Sequence, residues 1–115
     1  MNGEYASSIG VTAKVTDGTS TSVLAADSAK RYQLFRALIT VFGGTTAPAT
    51  DTIAISVGST VVARVQISRA ANAHAAIPID LQGFSGALNE AVTVQANSTF
   101  GTSGGYVCMV VARKV

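Results

Sequence analysis

The sequence has no tryptophan, one cysteine, one histidine, two prolines and few charges. Each shortage excludes something. The single thiol, Cys108, rules out an internal disulfide and fits synthesis in a reducing compartment. With His74 as the only imidazole, no histidine pair exists to hold a metal. The six carboxylates, Glu4, Asp17, Asp27, Asp51, Asp80 and Glu90, are scattered singly, without the spacing of a calcium loop or a catalytic carboxylate pair. No metal, cofactor or catalytic residue is therefore expected. Asp, Glu, Lys and Arg make up 12% of the 115 residues, where an average soluble protein has roughly 25%. A free monomer normally keeps itself soluble with charge, so the deficit points to a surface covered by partners. The net charge of +2 is too small and too dispersed to imply nucleic acid. The longest apolar run, Tyr106 to Ala112, is far short of the ~20 residues that span a bilayer. Met1-Asn2-Gly3-Glu4-Tyr5 has neither the basic nor the apolar part of a secretory signal. A protein made in a cytoplasm, without a membrane partner, is the expectation.

What the chain has is hydrophobic residues, 48% of the total, arranged with period two. The clearest case is Asp51 to Ser68. Ile53, Ile55 and Val57 alternate with Ala54 and Ser56, and beyond Gly58-Ser59 the residues Val61, Ala63, Val65 and Ile67 alternate with Val62, Arg64, Gln66 and Ser68. Two half-buried strands joined by a tight turn are predicted. A two-residue loop would set Ile53 against Arg64, apolar face against polar. The reading is therefore a three-residue loop, Gly58 to Thr60, pairing Val57 with Val61 and Ile53 with Val65, with Gly58 at positive φ.

Other strands follow the same logic. Residues 1–8 read as an extended arm and residues 9–115 as one β-sandwich domain. Ile9, Val11, Ala13 and Val15 form the apolar face of a first strand, Asp17-Gly18-Thr19 turns the chain, and Thr21 to Ala26 is a short second strand. Ala25 to Arg31 and the alanine-rich Arg69 to Ala76 favour helix by propensity, but both are too short to hold one; they read as connectors. Arg31 to Phe42 is a long strand. Ile77 to Leu81 carries Pro78, which confines it to a sheet edge. Gln82 to Leu88 reads as a loop around Phe84, Asn89 to Asn97 as a strand with Val92 and Val94 inward, and Tyr106 to Arg113 as the closing strand. About eight short strands with regular turns and no helical period predict an all-β antiparallel sandwich, wound as a jelly roll, with an up-and-down barrel as the alternative.

Two of these strands are apolar on both sides. In Arg31 to Phe42 the odd positions from Phe35 and the even positions Tyr32, Leu34, Leu38 and Phe42 each make a face. In the last strand Tyr106, Cys108, Val110 and Ala112 back onto Val107, Met109 and Val111. Burying one such side chain stabilises by roughly 1.5–3 kcal/mol, so a second apolar face calls for a cover. Self-association in a ring or trimer is the preferred cover, with an arm of the same chain as the alternative. The expected contact surface is Tyr5 of the arm with Tyr32, Leu34, Arg36, Leu38 and Phe42.

Chemical motifs are sparse. Gly101-Thr102-Ser103-Gly104-Gly105 matches the nucleophile-elbow pattern, but a strand follows it where a helix belongs, and His74 precedes the serine. It reads as a hairpin loop, and His74 as a loop residue. Cys108 reads as a small buried hydrophobe. Lys30-Arg31 and Arg113-Lys114 flank apolar strands as guards against edge aggregation. Asn97-Ser98-Thr99 is a glycosylation pattern with no secretion signal to make it meaningful.

Taken together, the segment Ser22-Val23-Leu24-Ala25-Ala26-Asp27-Ser28-Ala29-Lys30-Arg31-Tyr32, a long strand, a hairpin with Gly58-Ser59-Thr60, and Leu88-Asn89-Glu90-Ala91-Val92-Thr93-Val94 before a final strand resemble the small jelly-roll auxiliary proteins that decorate or cement tailed-bacteriophage capsids. The resemblance runs from Ser22 to Val115. It implies a non-enzymatic virion component on the capsid surface, a homo-oligomer, often a trimer, that binds the major capsid protein. The rival readings are a glycan- or receptor-binding module, for which Phe84 and Phe100 are the loop aromatics, and a self-assembling coat protein, which lacks the basic arm that packaging a genome calls for.

Overall fold

The computed structural model describes residues 8–115. The expected arm therefore lies outside the described residues except for Ser8, which already belongs to a strand. The chain forms β1 (Ser8–Val11), β2 (Thr21–Leu24), β3 (Tyr32–Phe42), β4 (Thr52–Val57), β5 (Thr60–Gln66), β6 (Ala75–Ser85), β7 (Val92–Ala96) and β8 (Gly105–Lys114). Neither alanine-rich connector is helical.

The antiparallel ladders are nested: β4 with β5, β3 with β6, β2 with β7 and β1 with β8. The chain is thus one long hairpin, bent at Gly58-Ser59 and rolled so that successive rungs fall alternately into two sheets. The added ladders β3·β8 and β4·β7 complete a first sheet, β1-β8-β3-β6, and a second, β2-β7-β4-β5. This is the jelly roll the period-two strands predict. Ile39, Val110, Cys108 and Leu34 of the first sheet meet Ile53, Ile55, Val92 and Val94 of the second in a core from which water is excluded.

Four local findings differ from the sequence reading. In the β4-β5 hairpin the turn has two residues, with Val57 opposite Thr60, yet Ile53 still faces Val65. A bulge reconciles the two: Ser56 pairs with Val61 and Ile55 with Ala63, so Val62 is the extra residue. Gly58 has φ 57, as a glycine-first hairpin turn demands.

The first strand is inverted. Ile9 and Val11 are 61% and 59% exposed, while Gly10 and Thr12 point inward. A Cβ on Gly10 would clash with the Val23 carbonyl oxygen, so β1 crosses β2 where only glycine fits. Thr12 meets its polarity by accepting a hydrogen bond from the Cys108 amide (3.1 Å).

In β3, Phe35 is an extra residue: Leu34 pairs with Ala112 and Arg36 with Val111. The bulge changes parity, so Tyr32 and Leu34 point inward with Ala37, Ile39 and Val41, and the even face expected from the sequence does not exist as one surface. Finally, β6 runs on to Ser85, so Phe84 lies in a strand rather than a loop. Three β6 residues, Leu81, Gln82 and Gly83, oppose Phe35. Gln82 and Gly83 take φ 56 and 73, and Asp80 Oδ1 accepts from the Gln82 amide at 2.9 Å.

Candidate assembly surface

The outer face of the first sheet is built by these registers. Val11 lies beside Met109, Met109 beside Leu38 and Leu38 beside Pro78, an uncharged row across all four strands. The next row on one side is Val107, Thr40 and Ala76; on the other it is Ile9, Val111, Arg36 and Asp80. Phe35 and Phe42, each 38% exposed, extend the surface at its ends. Charges lie at both ends and spare the middle: Lys14 Nζ stands 6.0 Å from the Phe42 ring centroid, and Arg36, Asp80 and Arg113 gather at the Phe35 end. There Arg113 Nη2 donates to Gln33 Oε1 at 2.7 Å, and its guanidinium stands 5.9 Å from the Phe35 ring centroid.

Of the residues expected from the sequence to form a contact surface, Arg36, Leu38 and Phe42 share this face. Tyr32 and Leu34, at 3% and 0% exposure, are core residues, removed from it by the Phe35 bulge. The Tyr32 hydroxyl donates to the Ala25 carbonyl at 2.7 Å. Tyr5 lies outside the described residues. The sequence reading missed Ile9 and Val11, because period two shows that a strand has two faces but not which one turns inward.

The edges of both sheets are poor templates for further strands. β1 and β2 have four residues each, β5 is bulged, and β6 carries Pro78, which has no N–H to offer, beside its own bulge.

The second sheet is the opposite in character. Its outward positions are Thr52, Ala54 and Ser56 on β4, Thr93 and Gln95 on β7, Ser22 on β2, and Val61, Arg64 and Gln66 on β5, of which Val61 is an exposed hydrophobic residue. Arg64 is the one charged residue in its four strands. Arg64 lies beside Ala54 and Ala54 beside Gln95, so a methyl floors a depression of about 310 Å³ between two long polar side chains.

The chemical motifs fall elsewhere. Ser103, at φ 67, ends a turn that leads into β8, and its carbonyl accepts from Lys14 Nζ at 2.8 Å. His74 Nδ1 accepts from the Gly43 amide at 3.1 Å, which ties two loops together; no hydrogen bond joins it to Ser103 among the described residues. Cys108 is fully buried, and burial pushes its thiol up to about 12. Phe100 is half-buried against Tyr106, with ring centroids 5.6 Å apart, so it packs on the core and offers no exposed aromatic platform. No group of three His, Cys, Asp or Glu side chains able to hold a metal occurs among the described residues.

Fold and surface together define a jelly-roll sandwich with one apolar and one polar outer face. Among solved structures, the chain is similar to the coat protein of tobacco streak virus at 11% identity and a TM-score of 0.41, over 96% of this chain and 86% of that one. No protein-family model and no curated protein matches it.

Proposed function

We propose that this protein is a non-enzymatic structural module of a virion that associates with copies of itself and attaches to a larger shell as a decoration or cement protein. The observation that carries the self-association is the uncharged row Val11, Met109, Leu38 and Pro78 on the outer face of the first sheet. The resemblance of residues 22–115 to phage auxiliary proteins supports the shell, with the major capsid protein as the partner there.

The occupant of the apolar face is a second copy. Strands of 11, 11, 10 and 4 residues, ~4.8 Å apart and rising ~3.3 Å per residue, give a face of roughly 570 Å² in projection. Two such faces bury on the order of 1,200 Å², the lower end for a specific interface. Because the centre of the face is uncharged, two copies meet there without repulsion. Attachment to a shell then works by multivalency, several modest contacts per oligomer adding through effective concentration.

Sedimentation velocity at about 10 μM, a concentration at which contacts of this size are populated, tests it. The wild-type chain sediments as a dimer, the state in which this face closes on its own copy, where the resemblance implies a trimer, and Val11→Lys sediments as a monomer with an unchanged circular dichroism spectrum. Val11 is 59% exposed, so the lysine costs the fold little; Met109→Lys, at the centre of the row, repeats the test. A monomeric wild type, or a Val11→Lys oligomer of the same size, refutes self-association through this face.

A further inference from the structure

The depression on the second sheet is not used by that association, and its chemistry is specific. Its floor is the Ala54 methyl, and its walls are Arg64 on β5 and Gln95 on β7. The walls stand two strand spacings apart, roughly 10 Å, a gap that admits one sugar ring. Ser56 and Thr93, cross-strand neighbours, line one side, and Thr52 the other. Gln95 Nε2 donates to the Gly18 carbonyl at 2.9 Å, which fixes the amide and leaves its oxygen to accept from a ligand.

Arg64 has no ion pair and no hydrogen bond among the described residues, and no carboxylate lines the depression. Its presence on this face is the product of the β5 bulge. With a two-residue turn and no bulge, Arg64 would pair with Ile53 and point into the core. The bulge instead brings the only charge of these four strands beside a small apolar floor and a set of hydroxyls. A bare charge for solubility needs neither.

We propose that this depression binds a carboxylate-bearing sugar, a uronic or sialic acid unit of a glycan. Arg64 takes the carboxylate bidentately, Ser56, Thr93 and the Gln95 oxygen take ring hydroxyls, and the Ala54 methyl lies under the C–H face of the ring. The ligand must be anionic because the site offers one unpaired cation and no acid. It must be hydroxylated because the remaining polar side chains are hydroxyls and the amides of Gln95 and Asn97, with Val61 as an apolar neighbour for a ring face or methyl. No aromatic platform is present, so affinity for a single unit is weak and multiplied by the copies in an oligomer.

The test is titration of the isotopically labelled full chain, followed through its amide resonances, with glucuronate, N-acetylneuraminate, glucose and acetate as separate probes. One of the two sugar acids shifts Ala54, Arg64 and Gln95 saturably, while glucose and acetate do not. Arg64→Gln, at an exposed position where the dispersed spectrum confirms folding, weakens that binding roughly tenfold or more, the loss expected for a hydrogen bond to a charged group. Gln95→Ala weakens it as well. The proposal is overturned if neither acid gives saturable shifts up to about 20 mM, if acetate binds as tightly as the sugar acid, or if Arg64→Gln binds like the wild type. Loss of self-association in Val11→Lys leaves this site intact, so the two readings fail separately.

Discussion

Asn97 is the residue whose side chain organises most backbone outside the strands. Its Oδ1 accepts from the Thr50 hydroxyl at 2.6 Å and from the amides of Asp51 and Thr52 at 3.0 and 3.1 Å, and its Nδ2 donates to Asp51 Oδ1 at 2.8 Å. The end of β7 is thereby stitched to the start of β4. That bond to Asn97 is the main cause holding the Asp51 carboxyl below its ordinary 3.8. Asp17 is lowered chiefly by the Thr19 amide, and Asp27 by the Ala29 amide and then Lys114, 3.1 Å away. A carboxyl depressed in the folded state contributes stability above its unfolded value and loses it as pH falls through the folded one. Melting temperature should therefore be level from about pH 7 to 5 and fall below about pH 4. Asn97→Ala starts lower at pH 7, by about 1–2 kcal/mol, because the buried Thr50 hydroxyl loses its shorter acceptor. Its deficit narrows in acid, since Asp51 then has less to lose. Circular dichroism melts across that range decide it; parallel curves would show that Asn97 does not act on Asp51. None of this was visible in the sequence, where Asn97-Ser98-Thr99 offers only a sugar-attachment pattern. The bonds join positions 45 to 47 residues apart, and only the fold brings them together. Cys108 was legible because it alternates with Tyr106 and Val110 and so shares their inward side.

At the scale of elements, the strands were legible and their facing was not. Period two located β3, β4, β5, β7 and β8 to within a residue or three at each end, and the match of Ile53 with Val65 followed from hydrophobic register alone. The bulges at Phe35 in β3 and Val62 in β5 were hidden because each inserted residue falls within a run of apolar residues, Leu34-Phe35 and Val61-Val62-Ala63, where alternation has no phase to lose. For β1 the deciding fact lies in another strand, where the Val23 carbonyl oxygen leaves room for a hydrogen but not a methyl at Gly10. That gives a sharp expectation. Gly10→Ala, although alanine suits a strand better than glycine, should lower stability by about 1–3 kcal/mol, the range for overpacking against groups that cannot move. The loss should appear first as faster hydrogen exchange at Val11 and its partner Met109. Ile9→Thr, at a neighbouring position that is 61% exposed, should stay within about 0.5 kcal/mol of the wild type. If the two variants melt alike, the crossing of β1 over β2 leaves room for a methyl at Gly10 after all.

At the scale of the molecule, the shortage of charge and the two outer faces are one fact. Extents of 49 × 24 × 21 Å make an elongated body with two broad sides, and the side chains divide between them: Ile9, Val11, Leu38, Met109 and Val111 outside one sheet, and mainly hydroxyls, amides and Arg64, with Val61 at the edge, outside the other. Composition predicted that much of the surface is covered. It could not say that the exposed apolar residues gather mainly on one side, because that requires the β1·β8·β3 order, which joins residues a hundred positions apart. For the self-association proposed above, the division also sets the driving force. Burial of an uncharged apolar face strengthens with warming near room temperature, carries a negative heat-capacity change and is indifferent to moderate salt. Contact through Arg36, Asp80 and Arg113 would instead weaken as the screening length falls from ~10 Å at 0.1 M to ~3 Å at 1 M. Sedimentation equilibrium at 5 and 25 °C, in 0.1 and 1 M sodium chloride, separates the two. Association should be tighter at 25 °C and unchanged or tighter in 1 M salt. An oligomer that falls apart in salt and holds in the cold would move the contact from the middle of the sheet to its charged end, around Arg36, Asp80 and Arg113.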